Sequence, residues 1–389
     1  MYYNNGEVLL DQKIADIAKI KFLEYYKEAD IKIDQVEKRE FGFGDFENKI
    51  TKRHISFKTE KEFKDYTISQ IPAFVSISSA FYAHPDARPM ENKGWINSEL
   101  VFDLDSSDLN LSCHKTHSKS WVCADCLSAV KNETIKLIEN FLVPDFGISK
   151  NEITVNFSGN RGYHVHVNNS EFMTLNSDAR KELSDYVTGN GINLNIFFPN
   201  ISEKFKVLHG PKPGDAGWGG KFAKGVISAL NGGESSLFSL GLDKRTVKKL
   251  LTNKTEIILG ITTGNWDKIK IPKKEEFWSN LLKSLTINQT SSIDKNVTNE
   301  KGHLIRLQDT IHGDTALLSK NIGSVGRLEK FDPMVDAVLF KKGAIKIHAD
   351  NVGEFSMNGI QFGPYTNQDV ELPTYAALYL LLKRAAILK

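Results

Sequence analysis

At 389 residues the chain is long enough for two or so domains of ~150 residues each. Apolar residues make up 40% and charged residues 25%, which is ordinary for a globular protein and excludes a disordered or fibrous chain. A formal charge of +2 excludes a uniformly basic molecule but leaves room for a local basic groove, because steering depends on where charges sit.

The segment Met1 to Asp11 has no basic stretch followed by an apolar run and a small-residue cleavage site. Residues Val8 to Ala29 carry Leu9, Ile14, Ile17, Ile20, Phe22 and Tyr25 at helical spacings, so a helix is expected there. Short strands follow at Arg53 to Phe57 and Ala73 to Ile77, and a further strand at Glu99 to Asp105. Leu127 to Leu142 reads as a helix. Strands at Ile153 to Phe157 and Tyr163 to Val167 bracket a glycine turn, and Ser177 to Val187 reads as a helix.

Pro199 to Gly220 is rich in proline and glycine and predicts loop. Helices are expected at Leu242 to Leu251 and Lys273 to Leu285, with a polar stretch at Asn288 to Asn299. The most apolar segment, Tyr375 to Leu382, is far short of the ~20 residues that span a membrane and is closed by Lys383 and Arg384, so it predicts a buried C-terminal helix. Strands and helices without a βαβ rhythm predict an α+β fold. Residues 1–172 and 286–389 are expected to form its catalytic core, with a mainly helical insertion at 173–285.

Three patterns carry chemistry. Period-two alternation puts Leu100, Phe102 and Leu104 on one strand face and Val101, Asp103 and Asp105 on the other. Two carboxylates ~6.5 Å apart repel one another, and a divalent cation such as Mg²⁺ or Mn²⁺ relieves this. Taken alone, the same pair fits a solvated strand end. Next, the chain's three cysteines fall with a histidine into C-x3-H-x5-C-x2-C: Cys113, His117, Cys123 and Cys126. Four such ligands suit structural Zn²⁺ in a reducing, intracellular compartment. His114 competes with His117 for one place. Finally, Ser158, Arg161 and His164 surround Gly159 and Gly162 in a turn whose N–H groups can cradle phosphate. His166 lies two residues further on, flanking that site, and a plain β-hairpin turn is the bland alternative.

These motifs resemble, in order, those of the archaeo-eukaryotic DNA primase small-subunit family. The resemblance runs through Arg39 to Phe43 (REFGF), Arg53 to Phe57 (RHISF), Leu100 to Asp105 (LVFDLD), the cysteine cluster, Ser158 to Val167 (SGNRGYHVHV) and His303 to Gly313 (HLIRLQDTIHG). Weaker similarity continues at Asp215 to Gly219 and in the C-terminal tail. It implies that Asp103, Asp105 and Asp294 are catalytic acids holding two Mg²⁺ or Mn²⁺ ions. It further implies that Ser158, Arg161, His164, Arg306 and His312 bind nucleotide phosphates, and that Glu40 and Arg53 lie near the site. The family pattern near RLPxSLHGKTG is altered here, and Asp314 replaces its lysine.

The activity implied is synthesis of short RNA primers on single-stranded DNA from NTPs. The implied partners are a large primase subunit and the replication machinery, in a prokaryotic cytoplasm or, in a eukaryote, a nucleus. A primase-polymerase using dNTPs is the alternative, and the absence of a GxxxxGK[ST] loop argues against a fused replication initiator. A non-catalytic nucleic-acid binder, with Phe41, Phe43, Tyr82 and Trp218 in its groove, is the third reading.

Overall fold

The computed structural model describes residues 3–4, 7–8, 10–117, 121–199, 201, 207–268 and 274–389. The first helix runs Gln12–Glu28, not from Val8. Asp11 sets its start, because the side chain caps the helix by accepting from Lys13 N.

Two four-stranded antiparallel sheets make the core of the first unit. One has the order Asn321–Gly323, Ile153–Phe157, Gly162–Val167, Leu100–Asp105. The other has the order Leu304–Arg306, Phe74–Ser78, Phe41–Gly44, Lys52–Ile55. Leu100, Phe102, Leu104, Tyr163, Val165 and Val167 are all buried on the face away from the acids. This burial fixes the register, since a one-residue slip would turn every apolar side chain to the other face.

A third sheet orders Tyr365–Pro373, Ala344–Val352 and Ile387–Leu388. The helix Thr374–Leu382 follows and is buried over its whole length, as its apolar run predicts. Among the described residues no helix is long and apolar enough to cross a membrane.

The chain divides into two compact units. The first comprises Met1–Ile135, Ile148–Lys181 and Ser292–Lys389, and the second comprises Lys136–Gly147 and Glu182–Ser291. The second is built from helices, including Ser177–Val187 from Glu182 onward, Gly217–Asn231, Lys244–Thr252, Lys254–Thr263 and Lys274–Gln289. Lys273, the expected start of the last of these, lies outside the described residues.

The stretch expected to be loop up to Gly220 differs, because a helix begins at Gly217. Its glycines argue against helix, but Trp218, Phe222, Val226 and Leu230 recur at four-residue spacing and are all buried. The Trp218 indole donates to Tyr186 O at 2.9 Å. Burial of that apolar stripe outweighs a glycine penalty of ~1 kcal/mol per residue.

Candidate active site

The strand Leu100–Asp105 lies at the edge of its sheet, which leaves one side of its backbone for another partner. The polar stretch after Gln289 supplies it. Asp294 N donates to Asp103 O at 2.9 Å, and the Thr298 hydroxyl donates to Val101 O at 3.0 Å. A short helix, Lys295–Asn299, is capped by the Asp294 side chain, which accepts from Asn296 N. So Asp294 is anchored beside Asp103 although nearly two hundred residues separate them in sequence.

Across the sheet, Asp103 pairs with His164 and Asp105 with Gly162. A Cβ on Gly162 would stand only 2.1 Å from Leu104 O, so the two strands can approach only at a glycine. His164 Nε2 lies 3.6 Å from Asp103 Oδ1. Arg161 folds back onto Asp105, with Nε and Nη2 donating to Oδ2 at 3.2 and 3.1 Å.

Asp103 has its pKa raised to about 7, first by burial and then by the charges of Asp105, Asp294 and Asp108. Its side chain keeps 27% of its surface exposed, enough to reach an ion. The charges of Asp105 and Asp294 act on the part-exposed Asp103 carboxylate, and hard oxygens of this kind suit Mg²⁺ or Mn²⁺.

The glycine turn packs against the segment after Arg306. Gly159 has φ +85, and a Cβ there would come within 2.7 Å of His312 Cβ. The Thr315 hydroxyl donates to Gly159 O at 2.6 Å. His312 Nδ1 accepts from Asp314 N at 3.2 Å, so in the neutral ring the proton sits on Nε2. Burial holds His164 and His312 well below the ordinary histidine range, followed by the effect of nearby cationic groups. Both therefore act as neutral imidazoles near pH 7. The Ser158 hydroxyl accepts from Gly162 N at 3.1 Å and so holds the turn closed. Arg306 lies over the Phe74 ring and donates to Val75 O at 3.1 Å, and its charge acts on both histidines.

Two residues join this set without a local sequence signal. Lys383, at the end of the buried C-terminal helix, donates to Asn160 Oδ1 at 2.7 Å. Burial lowers its pKa to about 8, while the Asp314 and Asp105 charges oppose that shift. Lys49 is exposed and exerts its charge on Asp103, His312 and Lys383.

Glu40 and Arg53 are brought to each other. Glu40 is fully buried and accepts from Arg53 Nε at 2.9 Å and His54 N at 3.2 Å, with Lys93 Nζ at 3.4 Å. These contacts organise the edge of the second sheet, and none is shared with the acids. His166 is likewise held elsewhere, its Nδ1 2.7 Å from Glu99, which also pairs with Arg39 at 2.8 Å.

Cys113, His117, Cys123 and Cys126 place their ligand atoms within 4.8 Å of one another. Cys126 Sγ is 3.5 Å from Cys113 Sγ and 3.6 Å from Cys123 Sγ, close to the ~3.8 Å edge of a tetrahedron with 2.3 Å zinc–sulfur bonds. His114 Nε2 and His117 Nε2 lie 3.6 and 3.7 Å from the same sulfur. The four-ligand set contains His117.

Asp103 and Asp105 on an edge strand, with Asp294 anchored beside them, thus stand among arginine, lysine and neutral histidine side chains. The family model for the DNA primase small subunit matches residues 102–324. A DNA primase small subunit PriS of Methanococcoides burtonii is 32% identical, covering 97% of this chain and 99% of that protein. The PriS proteins of Methanothrix thermoacetophila and Nitrosopumilus maritimus are 33% and 31% identical, over 96% and 94% of this chain and 98% of each relative. In class, then, the chain is a nucleotidyltransferase. It belongs to the archaeo-eukaryotic DNA primase small-subunit family.

Proposed function

We propose that the chain synthesises short RNA primers on single-stranded DNA, with Asp103, Asp105 and Asp294 holding two Mg²⁺ or Mn²⁺ ions. The observation that carries this reading is the anchoring of Asp294 onto the Asp103 backbone, opposite His164 and Arg161. The ions, when bound, supply charge neutralisation at the attacking hydroxyl and the leaving pyrophosphate. The chain's own residues position the substrate. Arg161 and Lys383 offer positive charge to the triphosphate, the turn at Ser158 to Gly162 sets its approach, and His164 and His312 donate hydrogen bonds without charge. Arg306 braces the segment that carries His312. Glu40 and Arg53 act at the periphery by holding the second sheet's edge.

Cys113, His117, Cys123 and Cys126 hold a structural Zn²⁺. The core, 1–172 and 286–389, carries the chemistry, and 173–285 is a helical insertion. The partners are a large primase subunit, the template strand and the replication machinery. The setting is a prokaryotic cytoplasm near the nucleoid, in keeping with the archaeal relatives.

The test is primer synthesis on single-stranded DNA with labelled NTPs, then dNTPs, and with Mg²⁺ or Mn²⁺. Metal-dependent RNA products support the reading. Products from dNTPs alone would replace it with a primase-polymerase. If no product forms even with the large subunit added, the enzymatic reading fails.

Asp314 gives a second handle. Burial lowers the pKa of both Arg306 and Lys383 and the Asp314 charge opposes it, so Asp314 competes with a triphosphate for Lys383. Asp314→Asn keeps the backbone N–H that orients His312. Such a partly screened interaction is worth ~0.5–1 kcal/mol, so the nucleotide KM is expected to fall about two- to fivefold. Steady-state primer synthesis reads this directly, and a rise in KM would show that the carboxylate serves binding instead.

A further inference from the structure

In the helical unit, Lys244–Thr252 reads KRTVKKLLT. Val247 and Leu250 are buried in the unit's core, whereas Lys244, Arg245, Lys248 and Lys249 are exposed. Four basic residues and no acid fall within nine positions, in a chain whose net charge is only +2.

Helix stability does not explain this pattern. Lys244 and Arg245 occupy the first turn, where the helix dipole disfavours cations. Lys244 and Lys248, like Arg245 and Lys249, are like charges four residues apart, a spacing that weakens a helix. Asp243 offsets part of this charge from the cap, but its carboxylate is directed at the helix start and makes no ion pair with Lys244, Arg245 or Lys248. It accepts from Arg245 N, Thr246 N and the Thr246 hydroxyl at 2.9, 3.0 and 2.6 Å. Among the described residues Lys244, Arg245 and Lys248 make no ion pair. A positive face that opposes its own helix is a local conflict of the kind that marks a functional demand.

The chemistry of the face identifies its partner. A protein partner needs aromatic or apolar anchors at the centre of the contact, and the exposed positions of this helix, Lys244, Arg245, Lys248, Lys249 and Thr252, offer none. A phosphate backbone needs only an array of lysine and arginine, with binding driven by counterion release. We propose that the helix Lys244–Thr252 is a sequence-independent docking face for the single-stranded DNA template, outside the catalytic residues. This rests on the primase reading above.

The test uses the full chain and a fluorescently labelled 30-nucleotide single-stranded DNA. Anisotropy over a range of salt concentrations would compare wild type with the triple variant Lys244→Gln, Arg245→Gln, Lys248→Gln. At low salt the variant's Kd is expected to rise about tenfold. Its log–log salt slope is expected to fall by about 2, from ~0.7 per phosphate contact on single strands. The kcat at saturating template should be unchanged and the melting temperature no lower, because the substitutions remove repulsion. A wild type that makes primers while the variant matches its Kd and slope would overturn this inference alone. Weakening confined to duplex DNA would overturn the assignment to the template. A wild type that neither binds single-stranded DNA nor makes primers would overturn the primase reading and this inference with it.

Discussion

Asp103→Asn is expected to abolish primer synthesis, lowering kcat by at least about a thousandfold. That corresponds to losing ~4 kcal/mol of charge stabilisation from a metal-binding carboxylate. The fold should survive, because the backbone oxygen of Asp103 that accepts from Asp294 N is untouched. Stability provides an independent readout. The Asp103 pKa is raised to about 7 by burial and by Asp105, Asp294 and Asp108, against an ordinary value of 3.8.

A carboxyl raised in the folded state binds its proton more tightly there than in the unfolded chain. Its contribution to stability is therefore fully present below pH ~4 and is lost as pH rises towards 7. Metal-free wild type should weaken across that window, and the asparagine variant should show a flatter profile. Added Mn²⁺ should raise the wild-type melting temperature above pH 7, where the carboxylate is ionised, and leave the variant unmoved. Near-normal synthesis by Asp103→Asn, or equal Mn²⁺ stabilisation of both proteins, would remove Asp103 from the catalytic acids.

The legibility of this site depended on whether its residues sit in periodic elements. Asp103 and Asp105 could be read because a strand has period two and the intervening leucine and phenylalanine are buried. The turn at Ser158 to Gly162 could be read because its glycines meet real steric limits, the close strand approach at Gly162 and the positive φ at Gly159. Asp294 lies in a polar stretch with no period, and only the family resemblance singles it out. What places it is a pair of backbone-directed hydrogen bonds to a distant strand edge.

Lys383 and Lys49 could not be read at all. A lysine ending an apolar helix has the same local sequence whether it faces water or a site. The helix Gly217–Asn231 was hidden for the opposite reason. Its glycines are a strong local signal, and the burial of Trp218 and Phe222, a tertiary effect, outweighs them.

The same tertiary wiring gives the proposed zinc module consequences beyond itself. Cys126→Ser is expected to reduce bound zinc from one per chain to none, measured by inductively coupled plasma mass spectrometry. Cys126 is fully buried, and its sulfur is the common neighbour of Cys113, Cys123, His114 and His117. Without a metal, burial pushes its thiol up to about 12, so the free site holds a proton that zinc must displace. Loss of a structural zinc from this size of chain should cost roughly 3 kcal/mol or more and lower the melting temperature by about 10 °C.

His117→Ala should lose zinc in the same way, and His114→Ala should keep it. The reverse pattern would exchange their roles, and a zinc-free wild type would discard the site. The effect should also reach the nucleotide. Trp121, in the module, packs edge-on against Tyr379 at 5.9 Å. Tyr379 belongs to the buried helix that ends in Lys383, and Lys383 reaches Asn160 in the glycine turn at 2.7 Å. Loosening the module should therefore shift Lys383 and raise the nucleotide KM severalfold at temperatures where the variant is still folded. An unchanged KM in a zinc-free, folded variant would show that the C-terminal helix holds Lys383 without help from the metal.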